Sequence, residues 1–150
     1  MNFHIFSGSE ESGKSTLMKQ MRIIHGTEYT KDERLYFLKH ILKNIILAMK
    51  TLIDSMDGLN LLYESPENAE KADFIKSINV ENDIKYEDVE TIKNLWADAG
   101  IIECYNRKNR ELKLENFAQY FLPKIELLVN PYYLPTDQDI LNVYIPTNRY

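Results

Sequence analysis

Thr30, Glu33 and the apolar run behind them constrain this 150-residue chain more than any other feature. A threonine followed three residues later by a glutamate makes a capping box, in which each side chain accepts a hydrogen bond from the other residue's backbone N–H at a helix start. Behind it Leu35, Leu38, Leu42, Ile45, Met49, Leu52 and Met56 recur at alternating steps of three and four. That spacing lies along one face of a helix of about 28 residues. Ile41, Ile46 and Ile53 widen the face until more than one partner helix is needed to cover it, and Gly58 is placed to end the helix. The stripe therefore predicts the core of a helical domain, with Leu35 to Met56 and the later Trp96 mostly buried.

The rest of the chain supplies partners. Pro66 to Ile75 reads as a short helix; Glu87 to Ala97 reads as another, with Val89, Ile92, Leu95 and Trp96 on one side; Ile101 to Asn106 makes a further turn or two. Apolar residues at 114, 117, 121, 125 and 128 give Leu114 to Val129 helical spacing, with Pro123 as a kink. Asn130 to Pro135 is a turn, Asp137 to Asn142 a last short helix, and Val143 to Thr147 extended. Between Gly26 and Asp137 no segment reads as a strand.

With 44% hydrophobic and 27% charged residues the chain has the composition of a folded domain. Its formal net charge of −5 argues against the broad grip on phosphate backbones that nucleic-acid binders use, and the basic group Arg107, Lys108 and Arg110 reads as a solvated helix end. A single cysteine, Cys104, cannot make an intrachain disulfide and reads as a small buried residue. His4, His25 and His40 lack metal-ligand spacing and read as structural. Ile41 to Ile53, interrupted by Lys43 and Lys50, is too short to span a bilayer, and Met1 to Phe6 is too short for a signal peptide. The expectation is a cytoplasmic protein without a transmembrane segment.

At the amino terminus, Asn2 to Ser7 reads as a strand and about Gly13 to His25 as a helix, with FSGSEESGKST between and within them. Gly8, then Gly13, Lys14 and Ser15, have the spacing of a phosphate-binding loop; chance would produce this match in a chain of this length with a probability on the order of half a percent. Each residue has a task there. The glycines let the backbone approach phosphate oxygens, Lys14 neutralises the terminal phosphates, Ser15 offers a hydroxyl to magnesium, and Thr16 donates to the inner phosphate.

GSEESGKSTLMKQMRIIH (residues 8–25) resembles the phosphate-loop run of heterotrimeric G-protein alpha subunits, whose loop glutamate and Lys-Gln-Met helix end are distinctive among such proteins. LWADAGIIECYNRKNRELKLENFAQYFL (95–122) and YYLPTDQDILNVYIPTN (132–148) are similar to that family's helical domain and to its linker into the first switch. The resemblance implies a mainly α fold: an all-helical insertion domain at 27–137, with remnants of a P-loop GTPase α/β domain at both ends, as the strand-turn-helix 1–26 and the linker 138–150. It further implies that Gly8, Glu11, Ser12, Gly13, Lys14, Ser15 and Thr16 bind GTP or GDP. Asp98 would lie where the helical domain leans on the nucleotide, and Leu141, Asn142, Val143, Tyr144, Ile145, Pro146 and Thr147 where the linker passes over ribose and phosphates. Ser15 and Thr147 would hold Mg2+. The implied partners are the beta-gamma subunits and a receptor at the inner face of the plasma membrane.

Several positions depart from the family pattern. Glu10 stands where the family has glycine, Ala99 where many members have serine, and Tyr144 and Asn142 where it has arginines; a neutral phenol cannot replace a guanidinium on a transferred phosphoryl group. The sequence to Tyr150 carries no Asp-x-x-Gly switch, no water-positioning glutamine and no Asn-Lys-x-Asp guanine motif, and it lacks the amino-terminal docking helix. It reads as a truncated alpha-like signal transducer impaired in hydrolysis, with no residue assigned to catalysis. The alternative is a non-catalytic helical interaction module, a pseudo-GTPase that binds partners without nucleotide. A P-loop kinase or ATPase fits less well, because helices occupy the positions of its strands.

Overall fold

A computed structural model describes residues 28–143. The expected strand and helix of 1–26, the phosphate loop and residues 144–150 lie outside the described residues. Within them the fold is helical, in the order α1 (Lys31–Gly58), α2 (Pro66–Ser77), α3 (Tyr86–Trp96), α4 (Ala99–Lys108), α5 (Glu115–Phe121), a 3-10 turn (Leu122–Lys124), α6 (Ile125–Leu128) and α7 (Asp137–Asn142). No strand occurs among the described residues.

Helix α1 starts where the capping box predicts. The Glu33 amide donates to Thr30 Oγ1 at 3.1 Å and the Thr30 amide to Glu33 Oε1 at 2.9 Å. It ends differently from the sequence expectation. Gly58 is the last helical residue, and the reversal falls on Asn60, which takes the left-handed conformation at φ 56°. The Asn60 amide then reaches Asp57 O at 3.2 Å and the Leu61 amide Met56 O at 3.0 Å, a Schellman closure. Asparagine tolerates that conformation because its short polar side chain can bond locally.

Helix α1 is the central element, packed against α2, α4 and α5. From Ile41 onward it is mostly enclosed: Ile41, Ile45, Ile46, Met49, Leu52, Ile53 and Met56 are buried together with Ile75, Ile92, Leu95, Ile101, Leu114 and Phe121. The earlier turns are less covered. Leu35 is 42% exposed and Leu38 and Leu42 are half-buried, because the shorter helices gather around the carboxy-terminal turns of α1. Trp96 is also half-buried, edge-on to Tyr105 with ring centroids 5.0 Å apart.

Three further boundaries differ from the sequence reading. Helix α2 runs two residues past Ile75, where Lys50 Nζ meets Lys76 O at 3.2 Å and Ile78 O at 2.5 Å and so covers carbonyls at the negative end of that helix. Helix α4 begins two residues before Ile101 because Asp98 caps it. The predicted helix Leu114–Val129 is broken: Pro123 has no N–H to donate, and the chain passes through a 3-10 turn into α6. Cys104 is buried, with Sγ 3.5 Å from Leu52 O, and burial raises its pKa.

Candidate functional site

Two buried carboxylates organise the parts of the domain that carry described site residues. Asp98, 1% exposed, precedes α4. Its Oδ1 accepts from the Gly100 amide at 2.7 Å and the Ile101 amide at 3.2 Å, which satisfies two of the orphan donors at the helix start. Its Oδ2 accepts from the Glu64 amide at 2.9 Å and from Asn68 Nδ2 at 2.8 Å, so the same side chain ties α4 to the α1–α2 connection and to α2. Glu64 returns the contact, accepting from the Ala99 amide at 3.1 Å. Beside it, burial and then the charges of Asp57, Asp98 and Asp73 push the Tyr63 hydroxyl up to about 12.

Asp139, fully buried in α7, is the second. It accepts from Lys124 Nζ at 2.6 Å, Tyr120 Oη at 2.7 Å, the Thr136 amide at 3.0 Å and Tyr133 Oη. Thr136 Oγ1 in turn accepts from the Asp139 amide at 3.0 Å, completing a capping box. Arg34, from the start of α1, reaches the same region: Nη1 donates to Pro135 O and Nη2 to Asp137 Oδ1, each at 2.8 Å. The start of α1 and the start of α7 are therefore tied together.

Burial alone would raise the Asp139 carboxyl, but the hydrogen bonds from Lys124, Tyr133, Tyr120 and the Thr136 amide outweigh it and hold the group below the ordinary range. Burial would lower Lys124, yet Asp139 holds it above the ordinary lysine range. Both phenols are raised, by burial first and by Asp139 second. The depressed carboxyl stabilises the fold fully above the unfolded value of about 3.9 and ceases to do so as pH falls through its own lower value; the raised groups lose their contribution as pH climbs past about 10. Asp139→Asn is thus expected to cost about 2 kcal/mol at neutral pH, with the gap to wild type closing below about pH 4 and above about pH 10. Urea unfolding of both proteins across pH checks this; a gap that stays constant through the acid limb would refute it.

Of the site residues expected from the sequence, Gly8, Glu11, Ser12, Gly13, Lys14, Ser15, Thr16, Tyr144, Ile145, Pro146 and Thr147 lie outside the described residues. Asp98 is buried with both oxygens engaged, while its neighbour Ala99 is exposed. Leu141 and Asn142 are half-buried at the end of α7, Asn142 Nδ2 donating to Gln138 O at 2.9 Å, and Val143 is buried in extended backbone. Among the described residues no group of three or more His, Cys, Asp or Glu side chains is arranged to hold a metal ion. Nor is any helix there long and apolar enough to cross a membrane.

Sequence reasoning missed Asp139, Lys124, Tyr120, Tyr133 and Arg34. A signal for the first existed, since Thr136 and Asp139 repeat the capping-box spacing of Thr30 and Glu33. The others come from separate elements, and no local pattern joins them.

Among the described residues the fold is seven α-helices, with the start of α1 tied to the start of α7 through Arg34. Residues 4–150 match the model of the G-protein alpha subunit family, and the chain belongs to that family. The mainly α fold expected from the resemblance is the fold observed, and the chain is G-protein alpha-like, of a class of GTP-binding signal transducers.

Proposed function

We propose that this chain is a guanine-nucleotide-binding, alpha-type transducer of receptor signalling that is impaired in GTP hydrolysis. The match over residues 4–150 carries the reading, because it joins the helical domain and the Gly8–Thr16 loop in one family. Lys14 would neutralise terminal phosphates, Gly8, Glu11, Ser12, Gly13 and Thr16 would surround them, and residues 141–147 would pass over the ribose side. Magnesium, held by Ser15 and Thr147, would neutralise charge between the phosphates. Tyr144 supplies no positive charge where the family has its stimulatory arginine, a group worth a factor of about 10³ to 10⁵ in such enzymes. Glu10 adds a negative charge inside the loop. Beta-gamma subunits and a receptor are the partners this reading calls for, and it places the protein in the cytoplasm, at the inner membrane face through those partners.

A specific observation favours the interaction-module reading as the second. Asp98 spends both oxygens inside the domain, and the amino-terminal half of α1 borders a groove of about 250 Å³ whose lining mixes apolar residues such as Leu35, Leu38 and Ile84 with the charged Lys39, Lys43, Glu81 and Asp83. Titration with a fluorescent guanine nucleotide in magnesium separates the two. The wild-type chain is expected to bind weakly without turnover, Lys14→Ala to lose affinity about tenfold or more, and Glu10→Gly/Tyr144→Arg to gain affinity, still without turnover. Magnesium-dependent hydrolysis by the wild type, abolished by Lys14→Ala, would overturn the impairment. Binding by neither the wild type nor the double variant would leave the interaction module.

A further inference from the structure

Helices α2 and α3 pack against each other and leave between them an open groove of about 690 Å³. Residues 67, 70, 71 and 74 line it from α2, one face of that helix over two turns, and residues 87, 88 and 91 line it from α3. Its charge is one-sided: the carboxylates of Glu67, Glu70, Glu87 and Asp88 meet a single ammonium, that of Lys71. Phe74 adds an aromatic ring, 48% exposed.

Part of this charge has a local use. Glu67 lies in the first turn of α2, and Glu87 and Asp88 in the first turn of α3, where a helix start favours negative groups. That account leaves much over. Glu70 stands beyond the first turn, and no ion pair reaches Glu67, Glu70 or Glu87 among the described residues, although Glu81, Glu103 and Glu126 each have one. Asp88, only 6% exposed, spends Oδ2 on the Lys85 amide at 2.8 Å, while its Oδ1 accepts no hydrogen bond among the described residues. A buried carboxylate with a free oxygen at the wall of a groove invites a donor from outside.

We propose that this groove docks an arginine-rich segment of a partner protein, with arginines at four-residue spacing beside an apolar residue that covers Phe74. Charge complementarity sets the sign of the partner, and Phe74 sets the residue type. A guanidinium stacks on a ring while its fork takes two carboxylate oxygens, whereas an ammonium offers a point charge alone. The volume sets the size, since a groove of this capacity takes several side chains and not one ion. Nucleotide binding plays no part in the inference.

The full chain is titrated into a labelled peptide of about 12 residues, with arginine at every fourth position and one leucine, and anisotropy is read at low salt. Matching peptides carry lysine or glutamate for arginine, and free spermine is the competitor. The arginine peptide is expected to bind, the lysine peptide several-fold more weakly and the glutamate peptide not at all. Glu67→Gln/Glu70→Gln should weaken binding about tenfold, and Phe74→Ala should erase the preference for arginine over lysine. Asp32→Asn/Asp54→Asn removes the same charge from exposed positions of α1 outside the groove and should change affinity less than about twofold. Glu70→Lys, at an exposed position, gives a second variant that reverses the charge without touching the core. Equal losses in the groove and α1 variants would reduce the attraction to net charge and overturn the site. So would an arginine peptide that fails to bind, or binding that spermine displaces and that shows no preference for arginine.

Discussion

Gly100→Ala is expected to lower the stability of the domain by about 3 kcal/mol, equivalent to a fall of roughly 10 °C in Tm. An added Cβ would stand 2.2 Å from Leu62 O, 2.9 Å from Met56 Cε and 3.0 Å from Asp98 Oδ1. The nearest of these decides the sign. Met56 Cε is the end of a flexible side chain and can give way, but Leu62 O belongs to backbone in the connection that the Glu64–Asp98 hydrogen bond holds in place. Replacing glycine in a helix ordinarily gains up to about 1 kcal/mol, and less at the second residue of α4 than in a helix interior, so the helical benefit is smaller than the cost of moving that backbone. Relief comes only by shifting α4 off α1, which also lengthens the bonds to Asp98. Thermal and urea unfolding of the variant measure the loss. An unchanged or raised Tm would mean that residues 61–64 move freely enough to admit a methyl group.

The same corner shows how far the sequence could be read. Helix α1 was legible because its information is local: Thr30 with Glu33, and a stripe at regular steps, are complete within 28 residues. Its burial was only half legible, because the stripe says which side faces a partner and not how far along the helix the partners extend; Leu35 fits the stripe and still faces solvent. Pro123 marked a disturbance in the helix from Leu114 but not that the chain would resume as a separate turn. Gly58 drew attention as a stop because glycine is the usual left-handed residue, and Asn60 took that place instead. For the candidate site the limit is sharper. The loop Gly8–Thr16 declares its chemistry by spacing alone, whereas Asp98 was marked by resemblance and its four hydrogen bonds come from residues 64, 68, 100 and 101. Partners that converge from different elements leave no periodic trace.

Those four bonds give Asp98→Ala the largest expected effect, a loss of about 4 kcal/mol. Removing a helix cap costs about 1 kcal/mol, up to 2 in structured settings. The greater part comes from the donors left behind: the Gly100 and Ile101 amides lose their acceptor in buried positions, at about 1 to 3 kcal/mol for each buried group left unsatisfied, and the part-buried Glu64 amide and Asn68 Nδ2 lose a charged one. Asp98→Asn should cost about half as much, since its volume fits and one oxygen still accepts, but its NH2 must face either the Gly100 and Ile101 amides or the Glu64 and Asn68 donors. That graded series distinguishes an internal tie from a nucleotide contact. If Asp98 holds the domain together, unfolding free energy falls in the order wild type, Asn, Ala, and any loss of nucleotide affinity tracks it. If its main task is toward nucleotide, both variants should keep their unfolding free energy within about 0.5 kcal/mol while affinity drops, as for a side chain whose protein contacts are incidental. With both oxygens engaged by α4, α2 and the connection between α1 and α2, the graded loss of stability is the expected result.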